Sequence, residues 1–415
     1  MKHASTRALP ADSGRRQLLL SAALAAAFAI APATPAFAQA AGDRVRLGAL
    51  LSVTGNPANG VTALAGYKMA VDEINKSGGI MGKQVDLFVG DDASDPTQAV
   101  TAVKRLISTN NIQILVGPMV SQATLAVAPV LTEAKIANVS VSGSSAITPK
   151  VAPYHFSLFT SIEAVSEAMA DYAVKELKAK SVGIITDSGS QGKAAQEEFQ
   201  RLFTARGIKV TGVQQHEPHA NDLTAQMLSL RRGNPDVLMQ VSSTGDDTGS
   251  ILKTLGEIGW DVKLVSNSAA LNVPMVARTG GNDAFKNGLT SGQLLKAYTY
   301  CQGDPVGQTD FGKFVTKLKA AEPKNFEQLN QQVVSMAYDG VYILKTAVEA
   351  TKSFDGAVLA SWIEKNANGV RGRVNGPLSA SSNNHFLVGP EAIVLVNRPD
   401  VKREDGMVLR TSNCK

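Results

Sequence analysis

The sequence predicts an α/β protein built on parallel sheets, in two units of similar plan. Three observations carry that prediction. Short, almost wholly apolar runs alternate with longer segments of helical periodicity, the pattern of strands buried on both faces between covering helices. The alternation breaks around Pro149 and Pro153 and then resumes. The chain has 415 residues, more than one hydrophobic core usually serves.

Each element has its own warrant. Residues 45–52 form a nearly continuous apolar run, as a strand covered on both sides requires. Leu64, Tyr67, Val71 and Ile74 then share one helical face, and Ala63, Gly66 and Ala70 let that helix lie close to a sheet. Ser77-Gly78-Gly79 ends the helix, because glycine tolerates the left-handed C-cap. A strand over 85–90 follows, then Asp95 as an N-cap with Pro96 at the first helical position. Val100, Val103, Leu106 and Ile107 are the buried stripe of that next helix. Strands over 112–116 and 137–141 flank a helix over 121–134. The second unit reads helix 162–177, strand 182–186, helix 193–205, strand 210–214, strand 236–241, helix 248–258 and strand 262–266. Beyond Gly292 the pattern is mainly helical (310–321, 333–352, 358–365), with short strands near 370–374 and 392–397.

The first residues read as an address. Arg15 and Arg16 precede an apolar run over 18–31, then Pro32, Pro35 and the small-x-small sequence Ala36-Phe37-Ala38. The run is too short for a stable membrane anchor. Cleavage after Ala38 is the expectation, with export to the periplasm of a two-membrane cell. The Arg15-Arg16-Gln17-Leu18-Leu19 order fits the twin-arginine route and leaves the Sec route open. Residues 1–38 hold Lys2, Arg7, Arg15 and Arg16 against Asp12, so the net charge of +5 falls to about +2 in the remaining 377 residues. With no Lys/Arg cluster, nucleic acid is not an expected partner. Cysteine occurs twice, at Cys301 and Cys414, and a disulfide between them suits an oxidising compartment. Two unpaired thiols are the alternative, since sequence does not place their Cα atoms.

Two runs, INKSGGIMGK from Ile74 and DDASDPTQAV from Asp91, stand in a block from Arg46 to Val100 with no catalytic motif. At this spacing the block resembles the opening of the branched-chain amino-acid binding proteins, the Leu/Ile/Val-type periplasmic components of ABC importers. The resemblance extends over essentially the whole mature chain and thins after Asp283. It implies two doubly wound parallel-sheet lobes joined by a three-crossover hinge, as in type I periplasmic binding proteins. It also implies a non-contiguous division: 39–160 plus 293–375 in one lobe, 161–292 plus 376–415 in the other.

Open parallel sheets bind ligands beyond the carboxyl ends of their strands. Three such ends in the first unit are rich in small hydroxyl residues: Ser52-Val53-Thr54-Gly55, Gly117-Pro118-Met119-Val120-Ser121 and Ser140-Val141-Ser142-Gly143-Ser144-Ser145. Thr54 belongs to the first. Ser121 begins a helix, where free N–H groups and the dipole favour an anion. The resemblance places a carboxylate clamp on Ser121 and on Ser142, Gly143 and Ser144. Taken singly, these serines also suit ordinary capping and turn duty. Relatives commonly carry an aromatic residue after the strand ending at Thr186, and an acid near Asn267-Ser268-Ala269 for a ligand ammonium. This chain has Gln191 at the first position and no acid at the second. Either Asp187, Asp246 or Asp247 supplies the counter-charge, or the ligand has no α-amine, because a buried ammonium without a partner is costly. Tyr338, in a family-like helix stretch, is a candidate aromatic for the cleft, though Val334, Tyr338 and Val341 also make a plain core stripe.

Enzyme chemistry finds little support. Gly55 and Gly60 do not make a dinucleotide turn, residues 78–83 lack the spacing of a phosphate loop, and Ser190 follows Ser188 where a nucleophile elbow needs glycine. Pro218 stops His216 and His219 sharing a helical face, so no metal site is predicted. The expected function is that of an extracytoplasmic solute-binding protein: a monomer without cofactor, capturing a small carboxylate-bearing solute by hinge closure and delivering it to ABC permease subunits. A sensory protein docking on a receptor, or an amide hydrolase on the same fold, are the alternatives.

Overall fold

Two separate sheets organise the chain, and each keeps nearly all its strands parallel. The computed structural model describes residues 44–410 and Cys414, except 56, 287, 288, 371 and 372. The export segment expected over 1–38 lies outside the described residues.

The first sheet is laid down in the order β1 (Val45–Leu51), α1 (Pro57–Lys76), β2 (Val85–Asp91), α2 (Pro96–Ser108), β3 (Ile114–Val116), α3 (Ser121–Glu133), β4 (Asn138–Ser140) and β5 (His155–Ser157). Its strand order is β2-β1-β3-β4-β5, with Val45 opposite Val85 and Leu47 opposite Ile114. Asp95 caps α2 as expected, its carboxylate accepting from the Gln98 N–H at 2.8 Å. Gly66 does permit a close approach, but to a helix and not to the sheet. A Cβ there would lie 2.3 Å from the Val334 carbonyl oxygen of α10 (Gln331–Thr351).

The second sheet follows as α4 (Ile162–Lys175), β6 (Ser181–Asp187), α5 (Ser190–Ala205), β7 (Lys209–His216), α6 (Thr224–Arg232), β8 (Val237–Val241), α7 (Gly245–Glu257), β9 (Lys263–Ser266), α8 (Val273–Gly280) and β10 (Leu289–Leu295). Its order is β12-β10-β9-β8-β6-β7. β12 (Ile393–Val396) pairs antiparallel with β10, placing Gly292 opposite Val396. Between them lie β11 (Thr299–Tyr300), α9 (Asp310–Ala321), α10 and α11 (Gly356–Asn366), and the last pairing joins β11 to β13 (Val408–Leu409).

The late segments differ from the expected division in two places. The chain leaves the second sheet after Leu295 and not at Gly292, because β10 pairs along its length with β9 and β12. Nor does 376–415 stay with the second sheet. Phe386 bridges Ser157 of β5, and Gly307 and Thr309 at the head of α9 bond Asp405 and Met407, so among the described residues of this segment only β12 joins the second sheet. The strand expected near 370–374 is not found among the described residues there. The Val374 and Asn375 N–H groups donate to the buried Asp339 carboxylate of α10 at 2.7 Å each, which satisfies them without a ladder.

Candidate functional site

Each sheet has a switch point, where neighbouring strands send their connections to opposite faces: between β1 and β3 in the first, between β6 and β8 in the second. A crevice opens at the carboxyl ends of such strands. Here both crevices contribute to one cavity of about 580 Å³, within the usual range for a small-molecule site.

The first wall is made by Ser52 after β1, Met119 to Ala123 across the start of α3, Val141 and Gly143 after β4, and Phe159 after β5. α3 opens here without a side-chain cap: Val120 occupies the N-cap and no acid stands in the first turn. Its leading N–H groups and the positive end of its dipole are therefore available to an anion beside the Ser121 side chain.

Ser142 and Ser144 stand behind this wall. The Ser142 hydroxyl lies 2.6 Å from Thr124 Oγ1, and Ser144 Oγ accepts from the Ala146 N–H at 3.3 Å. Both are buried, and they brace the turn that presents Gly143. A Cβ on Gly143 would meet the Phe159 ring at 2.8 Å and Gln191 Nε2 at 3.1 Å. Gln191, from the head of α5, thus reaches across to the first wall. Thr54 lies outside the lining and donates to Asp91 Oδ2 at 2.7 Å. Tyr338 is also outside it. Its hydroxyl donates to Glu73 Oε2 at 2.6 Å on the α1–α10 seam, and the aromatic side chain on the cavity wall is Phe159.

The second wall comes from Gly189 to Gln191, Pro218 and His219, Ser242 to Gly245, Asn267 to Ala269, and Met275. Gln240 fixes part of it from behind. Its Nε2 donates to Ser242 Oγ at 2.7 Å, while Asn267 Nδ2 donates to the Ser242 carbonyl at 2.9 Å. Sequence reasoning marked Gln191 and the turn at 267–269 but passed over Ser242, Ser243 and Thr244, because it searched strand ends for hydroxyl clusters in the first unit only. The same rule applied to residues 242–244 would have found them.

None of the three candidate acids lines the cavity. Asp187 accepts the Gly189 N–H at 3.0 Å and also the Ser243 N–H, tying together the loops after β6 and β8. Asp246 is held by Arg278, whose Nε donates to Oδ1 at 2.9 Å. Asp247 accepts the His219 N–H at 2.7 Å. Burial pushes Asp247 up to about 6, with the nearby Asp187 carboxylate adding to the rise against the pull of His216 and the His219 N–H. Among the described residues of the lining there is no Asp, Glu, Lys or Arg.

The structure joins Cys301 to Cys414 across a sequence separation of 113 residues. The bond sits in the corner made by β11 and β13, and neither cysteine lines the cavity.

Comparison with known proteins agrees with this architecture. The sequence profile of the family described as "Periplasmic binding protein" matches residues 44–402. The Leu/Ile/Val-binding protein BraC3 of Rhizobium johnstonii is 30% identical over 208 residues, a stretch covering 50% of this chain and 56% of that relative, less than two thirds of its length. Leu/Ile/Val-binding protein homolog 3 of Brucella melitensis is 26% identical over 325 residues, covering 78% of this chain and 83% of its own. Among solved structures, a type 1 periplasmic binding protein from Bordetella pertussis superposes with a TM-score of 0.72 at 22% identity, covering 85% and 96% of the two chains. An ABC transporter solute-binding protein from Rhodopseudomonas palustris, in complex with 4-hydroxybenzoate, also reaches 0.72, at 20% identity and 88% and 95% coverage. At these identities the structures speak for the fold. The chain belongs to the periplasmic binding protein family, among relatives of the Leu/Ile/Val-binding type.

Proposed function

We propose that this protein is the extracytoplasmic solute-binding component of an ABC importer, and that its solute is a small carboxylate without a free α-ammonium. The carboxylate would sit at the head of α3, against Ser121 and the leading N–H groups. Closure of the second lobe, with Gln191 crossing the gap, would complete the site and present the form a membrane permease engages. Ser142, Gly143 and Ser144 would shape the turn beside it, and Asp187 would hold the opposing loops. No covalent step is required of any of these groups, so the role is binding and not catalysis. Family membership supports a periplasmic location.

One observation carries the ligand class: the lining pairs an uncapped helix start with no acidic side chain. A carboxylate is welcome there, whereas a desolvated ammonium would find no counter-charge in contact. The relatives' names point to branched-chain amino acids, and the R. palustris structure holds an aromatic acid. The lining favours the second kind of chemistry.

A matched set tests this: leucine, 4-methyl-2-oxopentanoate and 4-methylpentanoate, each read by the shift in melting temperature. Ligand binding stabilises by RT ln(1 + [L]/Kd), so a saturating ligand gives a plain shift. The amine-free acids should shift the melt and leucine should not. Ser121→Ala should then weaken the bound acid by about tenfold to a hundredfold, the loss of one charge-assisted hydrogen bond. A leucine shift larger than those of both acids would refute the ligand class.

A further inference from the structure

The cavity wall carries a histidine that the reading above leaves without a task. His219 is the one titratable side chain among the described residues lining the cavity. Two contacts hold it in an uncommon backbone conformation. Its N–H donates to Asp247 Oδ1 at 2.7 Å, its ring Nδ1 lies 3.3 Å from Asp246 Oδ2, and its φ is 63°. That φ is left-handed, a region where a non-glycine residue persists only when its surroundings hold it.

The partner on Nδ1 determines what the ring offers. Asp246 is buried, ion-paired to Arg278 and able only to accept, so Nδ1 carries the proton. A neutral imidazole protonated at Nδ1 has its lone pair on Nε2. Among the described residues Nε2 has no partner, and the side chain is 51% exposed. The wall behind it supplies the matching electrostatics. Asp187, Asp246 and Asp247 are all buried there, and the two acids in the first turn of α7 already complement its dipole. With Asp246 ion-paired to Arg278 and no Lys or Arg among the described residues of the lining, this wall offers a second anionic group no free cation, whereas the positive end of an O–H or N–H bond meets an acceptor.

We propose, on the reading that the cleft binds a carboxylate, that His219 selects the solute by presenting Nε2 as a hydrogen-bond acceptor. The ligand would then carry a hydroxyl or amide N–H at the end remote from its carboxylate.

Calorimetric titration with matched carboxylates tests this: 4-hydroxybenzoate against 4-methoxybenzoate, and 6-hydroxyhexanoate against hexanoate. The hydroxyl member should bind about threefold to tenfold tighter in a pair that binds, the net worth of one hydrogen bond at a half-exposed acceptor. His219→Ala should bring that ratio to within about twofold, and His219→Gln, which keeps an acceptor oxygen, should retain part of it. A histidine that only shapes the loop would weaken both members alike and leave the ratio standing, which overturns the proposal. A ratio near one in the unaltered protein overturns it equally. If none of the four acids binds, the carboxylate reading of the cleft fails first, and this inference falls with it.

Discussion

Burial of Asp247 makes a single carboxyl group legible in the pH dependence of stability. Its folded value, about 6, lies above the ordinary 3.8, so the native state holds the proton to higher pH than the unfolded chain does. The sign follows: Asp247 takes nothing from stability below about pH 4, and its cost grows as pH rises to about 6, reaching on the order of 3 kcal/mol. Asp339 runs the same way. Burial pushes it up to about 7 against hydrogen bonds from Asn375 and Val374. Asp247→Asn should therefore flatten the decline in urea midpoint between pH 4 and 6.5, since Asn can still accept the His219 N–H. Identical slopes for the two proteins would show that Asp247 titrates as an ordinary surface acid. Sequence alone offered Asp187, Asp246 and Asp247 as equivalent candidates to face a ligand. What separates them is which backbone N–H or guanidinium each one meets, and that is decided by loops far apart in the chain.

Helices and strands were readable wherever one periodicity ran unbroken. β1 and α2 are recognisable from the apolar run and from Asp95-Pro96 because local pattern and buried face coincide there. β5 was missed because two of its three residues, His155 and Ser157, are polar; burial satisfies them through Ser140 Oγ and the Ser142 carbonyl. β10 reads Leu-Thr-Ser-Gly-Gln-Leu-Leu, too polar for a buried-strand signature, and was also missed. The cleft was half legible for a related reason: hydroxyl-rich turns announce themselves, whereas Phe159 or His219 gains meaning only beside its neighbours. The α1–α10 seam supplies an element-level test. Gly→Ala within a helix ordinarily stabilises by about 1 kcal/mol. At Gly66 the added methyl would strike the Val334 carbonyl, so Gly66→Ala should destabilise by roughly 1–3 kcal/mol. A chemical denaturation curve showing stabilisation would mean that α1 and α10 do not meet at Gly66.

At the scale of the molecule, the Cys301–Cys414 bond closes a long excursion through α9, α10, α11 and β12. Removing that closure frees the unfolded chain, which the chain-entropy account values at about 5 kcal/mol for a loop of this size. Reduction, or a Cys301→Ala/Cys414→Ala double substitution, should lower the urea midpoint accordingly and leave ligand affinity within about twofold, since the staple is not part of the cavity wall. A large loss of affinity with little loss of stability would mean that the staple instead governs closure. The same excursion bears on biogenesis. β10 waits through roughly a hundred residues of later chain for β12, its partner on that side among the described residues, so a growing polypeptide carries a bare hydrogen-bonding rim on its second sheet. Such a rim can recruit a strand from another copy, so until residue 393 emerges the unfinished sheet is open to association with its neighbours.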